Sequence, residues 1–381
     1  MMNLIKKIKA SIGLMFKAKL MFNEKSYYPD EPHKSKWQMF REQLFFIWKY
    51  GYFEKYYFAY GFDRKSMDLK RICNEYIVNE NVFIYKKIDY RNNHPVVDKD
   101  ILNKIGNHKD NPINEIRPGR CIVDDKFYFY LFLKSLNIPT PKILYCTKYG
   151  KLLYSSEGNE VQGIKAILEK DMDAFAKPLD GQLGNGAFAI KIESGNVYVD
   201  NQLLTQTDNL IQTFTKTNYI IQERIIQHPQ MNRLCSTAVN TIRLLTVMAP
   251  NKEVVAFRAG LRIGREGSNV DNCAKGGIFV GIDMNTGKLM KRGIIKPPYG
   301  NVAFQHPDNG VVFDGFEIPY FKEAVEIAKR LHMNLYRIHS VGWDIAITQD
   351  GPIFIEGNSR WEVSGTQSAV GGVKFIEKYF E

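Results

Sequence analysis

VGWDIAITQDGPIFIEGNSR, residues 341–360, alternates apolar and polar side chains on both sides of Gln349-Asp350-Gly351. Alternation around such a turn is typical of a β-hairpin. If the pairing is centred on the turn's aspartate, Asp344 lies directly opposite Glu356. Asn358 projects from the same face as Glu356, because alternate residues of a strand share a face. The hairpin therefore brings two carboxylates and an amide oxygen within about 5 Å of one another.

These three side chains are candidate metal ligands. Two negative charges so close together need a counter-cation, and a set of hard oxygen ligands favours Mg²⁺ bridging substrate phosphates. A solvated edge hairpin with incidental acids is the alternative interpretation. The flanking apolar residues favour a buried strand, in which unpaired carboxylates would be costly. The sequence therefore predicts a Mg²⁺ site at Asp344, Glu356 and Asn358.

A glycine-rich loop follows a predicted strand in AKPLDGQLGNG, residues 176–186. Lys177 offers a positive charge for one phosphate, and backbone N–H groups of the loop can approach others. The standard nucleotide-binding motifs are absent from the sequence. GNEVQGIK (158–165) does not match the GxxxxGK[ST] pattern, and no GxGxxG follows a predicted strand. The sequence also contains no kinase HRD set and no HExxH. An ordinary turn between two strands is the alternative interpretation of the glycine-rich loop.

The rest of the chain mixes helical and strand patterns, which predicts an α+β fold. Residues 126–137 and 320–334 have the pattern of helices, and Pro139 and Pro141 end the first of them. An Asn/Asp/Pro-rich run at 107–119 predicts a linker and a domain boundary. Strands are expected at 187–192, 197–199, 219–225 (YIIQERI), 241–248 (TIRLLTVM), 254–263 (VVAFRAGLRI) and 276–283 (GGIFVGID).

The composition is that of a basic globular protein. Hydrophobic residues make up 44% and charged residues 24% of the 381, which excludes wholesale disorder and fibrous classes. The length suggests two to three domains. The 52 Lys and Arg against 41 Asp and Glu give a net charge of +11, so we expect an anionic partner such as a nucleotide, acidic lipid, acidic sugar or nucleic acid. Five cysteines without a CxxC pair indicate neither a disulfide framework nor a zinc ribbon.

The N-terminal segment predicts an amphipathic basic helix, because Met1, Ile5, Ile8, Ile12 and Met15 recur at helical spacing among lysines. Lysines break its apolar run, so it is not expected to span a membrane. Two interpretations stay open: the helix lies on an anionic cytoplasmic membrane, or it packs on its own domain.

Residues 37–62 are dense in aromatic side chains. A lipid-facing belt or a nucleic-acid stacking platform would explain this density, but helical core packing is the commoner explanation. The sequence has no RNP-type motif and no helix-turn-helix signature, so nucleic acid is not expected as a partner.

Seven segments, in order, resemble the ATP-grasp superfamily and in particular its sugar-transfer-associated branch. They are DDK (124–126), AKPLDGQLGNG, IIQERI, VNTIRLLTV, GGIFVGID, VGWDIAIT and IEGN, within residues 115–375. The resemblance implies an ATP-grasp fold, in which two α+β subdomains clamp ATP. We accordingly expect three regions: a helical, aromatic-rich N-terminal region (1–115), the ATP-grasp N-terminal and lid subdomains (116–222), and the C-terminal subdomain with the metal hairpin (223–381).

The resemblance also implies roles for residues that bind the nucleotide. Lys126 and Lys177 would hold the ATP phosphates, and Gly181, Gly184 and Gly186 would form the lid over them. The three oxygen donors of the hairpin would bind two Mg²⁺ ions.

A hinge that contacts adenine and ribose would comprise Glu223, Arg224 and Ile225. One departure from the family concerns catalysis. In D-alanine:D-alanine ligases an arginine stands two positions before the first metal acid, where this chain has Gly342.

Three other positively charged residues are candidates for the role that this arginine has in the ligases: Arg243, Arg262 and Lys275. Arg243 would stabilise the charge on the transferring phosphoryl group or acyl-phosphate, and a structural salt bridge is the alternative for it.

The resemblance implies an ATP-dependent carboxylate–amine ligase, in which ATP activates a carboxylate as an acyl-phosphate that an amine then attacks. We expect an amine or amino acid and an acidic sugar, either nucleotide- or lipid-linked, as substrates in surface polysaccharide assembly such as that of a capsule. A kinase on the same fold and a nucleotide-binding membrane scaffold are the alternatives. The expected location is the cytoplasm, with contact to the inner membrane face through residues 1–22.

Overall fold

The computed structural model describes most of the chain. The described residues are 5, 7–9, 11–14, 24–76, 78, 120–156, 163–179, 185–249, 251–268, 271, 276–295, 300–335, 338, 340–359 and 361–371. The predicted linker at 107–119 lies outside them.

The N-terminal part contains two helices, α1 (Lys36–Tyr50) and α2 (Leu69–Glu75). A capping box starts α1: the Ser35 hydroxyl accepts the Gln38 N–H, and the Gln38 side chain accepts the Ser35 N–H. Most aromatic side chains of residues 37–62 pack with one another, and the largest of those that are fully buried are Phe46, Tyr57, Tyr60 and Phe62. Core packing therefore accounts for most of the aromatic density.

The described residues between Ile5 and Leu14 are helical, which confirms the predicted N-terminal helix. The Ser11 hydroxyl donates to the Lys7 carbonyl oxygen at 2.9 Å, a bond one turn apart. Leu14 is buried, whereas Ile5, Ile8 and Ile12 are exposed. The helix thus has one side against the protein, and its contact with a membrane stays a prediction.

Helices α3 (Arg120–Asp124) and α4 (Lys126–Ser135) precede an antiparallel sheet, here called the N-terminal sheet. The strand order is β2-β1-β7-β3-β4-β5-β6. A 3₁₀ turn (Ile164–Leu168) and helix α5 (Asp208–Lys216) pack on this sheet through Ile167 and Phe214. Its strands are β1 (Ile143–Lys148), β2 (Lys151–Ser155), β3 (Met172–Pro178), β4 (Phe188–Glu193), β5 (Asn196–Val199), β6 (Gln202–Leu203) and β7 (Tyr219–Glu223).

A second antiparallel sheet, the C-terminal sheet, has the order β12-β11-β10-β9-β8-β13-β14. Helices α6 (Pro229–Asn232), α7 (Phe321–Met333) and α8 (Val363–Val370) accompany it. The strands are β8 (Thr241–Met248), β9 (Val254–Ile263), β10 (Ile278–Ile282), β11 (Leu289–Ile295), β12 (Val302–Ala303), β13 (Ser340–Thr348) and β14 (Gly351–Asn358). The largest buried cluster lies on this sheet and includes Phe129 of α4 and Trp343 of β13.

These two sheets with their helices confirm the α+β fold. Strands β8 and β9 have the predicted bounds. The predicted strand 219–225 is wrong at its end, because β7 stops at Glu223. The next residue, Arg224, turns its N–H toward the Asp173 carbonyl oxygen, and the chain then runs toward the C-terminal sheet.

Tyr28 joins the N-terminal part to the C-terminal sheet. Its ring lies between two guanidinium groups, with Arg64 at 3.9 Å and Arg292 of β11 at 3.6 Å from the ring centroid. Cations over both faces of an aromatic ring are attracted by its quadrupole. The N-terminal part is therefore held against the C-terminal sheet. Strands β13 and β14 of this sheet form the hairpin with Asp344 and Glu356, here called the acidic hairpin.

Glu54 predicts a pH-dependent stability. Its side chain is fully buried in the N-terminal aromatic cluster, and burial raises its pKa from 4.5 to about 8. Between pH 4.5 and about 8 this carboxyl is neutral in the folded state and ionised in the unfolded state. The folded protein therefore becomes less stable as the pH rises through this window. We expect the free energy of unfolding to fall by up to about 1.4 kcal/mol per pH unit in this window.

Glu54→Gln should remove this slope and make the variant more stable than the wild type at pH 8, as measured by urea unfolding. Glu169→Gln, at an exposed position, is the control and should keep the wild-type slope. Parallel slopes for the Glu54 variant and the wild type would contradict the assignment.

Candidate active site

A cavity of about 1070 Å³ lies between the two sheets. Phe175 and Lys177 of β3 line it from the N-terminal sheet, and Arg243, Asp344 and Glu356 line it from the C-terminal sheet. Its volume is at the upper end of the range for small-molecule sites. The cleft is therefore large enough for a cofactor together with a second ligand.

The acidic hairpin has the predicted pairing at the site, because of a β-bulge. Near its two-residue turn, Ile345 pairs with Phe354, a register that would bring Asp344 opposite Ile355. A register shift between Asp344 and Ile345 leaves Ile355 as the extra residue, and Asp344 pairs with Glu356. The bulge thus restores the opposition of the two carboxylates that the sequence predicts.

Two arginines hold Asp344. Arg243 lies directly opposite it on β8, and its Nε and Nη2 donate to the two carboxylate oxygens at 2.6 and 3.2 Å. Arg262 of β9 approaches Oδ2 to 2.9 Å through Nη2. Burial raises the pKa of Asp344, but the two guanidinium groups outweigh burial and hold it below its ordinary value. Asp344 is therefore an ionised carboxylate, although its side chain is only 4% exposed.

The packing of Trp361 explains why position 342 is a glycine. A Cβ atom at this position would come within 2.7 Å of the Cβ of Trp361, which is 1% exposed. The space next to Gly342 is thus filled by the tryptophan side chain. Arg243 supplies a positive charge from the neighbouring strand, next to Asp344.

Asp271 is a site residue that the sequence interpretation missed. It lines the cavity, accepts a hydrogen bond from the Thr241 hydroxyl and lies 3.4 Å from Nε of Arg262. Burial raises its pKa, against the lowering effect of Arg262. Arg262 therefore bridges Asp271 and Asp344. The only signal in the sequence was an acidic residue in the polar stretch between two predicted strands.

The two candidate phosphate-binding lysines both line the cavity. Asp125 caps α4 by accepting two backbone N–H groups, which fixes Lys126 as the first helical residue. Burial holds the pKa of Lys177 below its ordinary value, although the negative charges of Glu356, Asp271 and Asp344 act in the opposite direction. The structure thus brings Lys177 into the electrostatic field of the carboxylates across the cleft.

The hinge residues Glu223, Arg224 and Ile225 line the cavity where the chain passes between the sheets. The N–H groups of Glu223 and Arg224 donate to the carbonyl oxygens of Lys142 and Asp173. Their side chains also form ion pairs with these two residues, at 3.5 and 3.6 Å. The next residue, Ile225, also lines the cavity.

The predicted lid is described only in part. Gly181, Gly184 and the catalytic candidate Lys275 lie outside the described residues. Gly186 has a positive φ of 72°, and its carbonyl oxygen accepts a hydrogen bond from the Tyr219 hydroxyl at 2.9 Å. Its neighbours Asn185 and Ala187 line the cavity.

The chain matches the profile of the sugar-transfer associated ATP-grasp family over residues 111–377, which is more than half of its length. It belongs to the sugar-transfer associated ATP-grasp family. This assignment confirms the resemblance drawn from the ordered sequence segments. No curated protein matches this ATP-grasp chain.

Several solved structures are similar to the ATP-grasp chain at low identity. N5-carboxyaminoimidazole ribonucleotide synthetase from Thermotoga maritima is 16% identical over 65% of this chain and 47% of its own, with a TM-score of 0.34. D-alanine–D-alanine ligase from Bacillus anthracis complexed with ATP is 12% identical over 62% and 56%, with a TM-score of 0.31. The chain spans about half the length of these structures, and the family assignment rests on the profile alone.

The oxygen donors of the hairpin fit Mg²⁺. Among the described residues, no group of three His, Cys, Asp or Glu side chains is arranged to hold a metal ion, so the candidate donors are two carboxylates and one amide. The arginine ion pairs go to Asp344 and Asp271, not to Glu356. Within the described part of the chain, Arg243 is the donor found on Oδ1 of Asp344, and this oxygen has a second lone pair. Asn358 donates its amide N–H toward Gly342, which leaves its carbonyl oxygen for a cation.

Proposed function

We propose that the protein is an ATP-dependent carboxylate–amine ligase that forms an amide, ADP and phosphate. The observation that carries this proposal is the convergence of two lysines, Lys126 and Lys177, on the cleft that Asp344 and Glu356 line from the opposite sheet. Cations for the phosphates and oxygen ligands for a divalent metal are the two requirements of phosphoryl transfer from ATP. Their occurrence in an ATP-grasp chain favours this chemistry.

Residues that line the cleft from both sides would bind the nucleotide. The ammonium groups of Lys126 and Lys177 would contact the phosphates, and the hinge at Glu223–Ile225 would contact adenine and ribose. Mg²⁺ held by Asp344, Glu356 and Asn358 would offset the charge of the triphosphate. The glycines of the predicted lid, Gly181, Gly184 and Gly186, would close over it and exclude water.

The arginines of the site would stabilise the phosphoryl group that is transferred. A substrate carboxylate oxygen attacks the γ-phosphorus and the bond to ADP breaks, which gives an acyl-phosphate. The amine then attacks the acyl carbon, loses a proton, and phosphate leaves. Arg243 uses Nε and Nη2 on Asp344, so its Nη1 N–H groups remain for an oxygen of the transferred phosphoryl group. Arg262 and Lys275 are the further candidates for this stabilisation.

For the substrates we propose an amino acid or amine and an acidic sugar, carried on a nucleotide or a lipid, in surface polysaccharide biosynthesis. The family's association with sugar transfer supports the sugar. The net charge of +11 supports an acidic one.

A product analysis by mass spectrometry tests this function. The protein is incubated with Mg-ATP, pooled uronic-acid sugar nucleotides and pooled amino acids, and ADP, phosphate and new masses are measured together. We expect a condensation product with one phosphate released per amide. A product heavier by one phosphoryl group without free phosphate would identify a kinase instead, and nucleotide binding without any turnover would favour a scaffold.

We also propose a cytoplasmic protein that contacts the inner face of the membrane through residues 1–22. No helix among the described residues is long and apolar enough to cross a bilayer. Deleting residues 1–22 should weaken sedimentation with anionic liposomes, and undiminished sedimentation would contradict this contact.

A further inference from the structure

Helix α1 exposes a row of large side chains. Its buried face consists of Met39, Gln43, Phe46 and Ile47. On the opposite side, Trp37 and Trp48 are 66% and 49% exposed, three helical turns apart. Trp37 is stacked on the Phe40 ring at 5.7 Å, which fixes its orientation. Indole rings this exposed are unusual in a helix that already buries a complete face.

The N-terminal helix lies beside this row. The Lys7 ammonium is 6.0 Å from the centroid of the Trp48 ring. Leu14 is 1% exposed, whereas Ile5, Ile8 and Ile12 are 48%, 45% and 52% exposed on one stripe of the helix. Two neighbouring helices therefore each expose large apolar side chains.

The charge of this region is positive. Residues 1–22 contain five lysines and neither Asp nor Glu. Helix α1 adds Lys36, Arg41 and Lys49, and its single acid, Glu42, is engaged by Lys34 at 2.8 Å. The two segments that carry these aliphatic and indole side chains therefore contain many more cations than acids. An aqueous protein partner does not require this combination, whereas the headgroup region of an anionic bilayer favours both components.

We propose that the N-terminal helix and the outer row of α1 form one lipid-contacting surface, with Trp37 and Trp48 in the headgroup region of an anionic membrane. The proposal extends the membrane contact of residues 1–22 to a folded element of the protein, and it does not depend on the ligase chemistry. Tyr28, held between Arg64 and Arg292, would then hold the cleft-bearing sheet near the membrane.

The tryptophans provide a direct test. The chain has four, and the other two, Trp343 and Trp361, are 0% and 1% exposed. Adding vesicles of phosphatidylcholine with phosphatidylglycerol to the full chain, without nucleotide, should shift the emission to shorter wavelength through Trp37 and Trp48. Vesicles of phosphatidylcholine alone, or high salt, should reduce the shift.

Trp37→Ala combined with Trp48→Ala should weaken cosedimentation with the anionic vesicles at least tenfold. Tyr149→Ala combined with Leu153→Ala removes two exposed apolar side chains elsewhere, 82% and 56% exposed, and should leave cosedimentation unchanged. An equal loss in both double variants would overturn the proposal. So would the absence of an emission shift, or a tryptophan-dependent self-association without vesicle binding. Because no ATP is present, these outcomes are independent of whether the ligase assignment holds.

Discussion

Glu356→Gln is expected to lower the Mg-ATP-dependent turnover by ~10²–10³-fold, the effect of removing one electrostatic contributor from a preorganised site. The substitution keeps the shape of the side chain but removes the charge that a divalent cation requires. Glu356 is only partly buried and pairs with neither arginine of the site, so the fold should be retained. ADP release measures the first effect, and circular dichroism measures the second.

The same variant should lose the thermal stabilisation that Mg-ATP gives to the wild type. Glu326→Gln is a matched control, because Glu326 forms an exposed ion pair with Lys329 on α7, outside the cleft lining. The control should keep both turnover and stabilisation. If Mg-ATP stabilised the Glu356 variant as well as the wild type, the metal assignment would have to be abandoned.

Lys177→Met is expected to weaken ATP binding about 10- to 100-fold, since a hydrogen bond to a charged group contributes roughly 1.5–3 kcal/mol. Burial already disfavours the ammonium form of Lys177, so replacing it by an uncharged side chain of similar length should leave the fold intact. Isothermal titration calorimetry with ATP measures the affinity.

Two further variants make the result specific for Lys177. Lys177→Arg keeps the charge and should retain part of the affinity. Lys191→Met on β4 removes an exposed lysine that pairs with Glu193, and it should bind ATP like the wild type. Equal affinity of the Lys177→Met variant and the wild type would exclude a phosphate contact by this residue.

The sequence predicted the acidic hairpin because alternation and a turn are local signals. The opposition of Asp344 and Glu356 was right. The bulge at Ile355 that produces it could not be predicted, because the apolar run Ile353-Phe354-Ile355 contains no alternation that would reveal an extra residue. Likewise, the glycine at position 342 was visible in the sequence. The close approach of Trp361 that leaves no room for a larger residue there depends on how the chain folds back over the sheet.

The network of hydrogen bonds and ion pairs around Arg262 could not be predicted from the sequence, for a different reason. Asp271, Thr241 and Asp344 come from a loop and two strands, and only the sheet order places them within reach of one guanidinium group. The residues 37–62 illustrate a related limit. About two thirds of the positions there are aromatic or apolar, so periodicity could not separate the exposed Trp37 and Trp48 from the buried core.

The cleft between the two sheets is expected to bind Mg-ATP. A crystal structure of the full chain with Mg²⁺ and a non-hydrolysable ATP analogue tests it most directly. We predict phosphates in contact with Lys126 and Lys177, and Mg²⁺ at about 2.1 Å from oxygens of the Asp344, Glu356 and Asn358 set. A nucleotide bound elsewhere, or a metal held without these oxygens, would contradict this binding site.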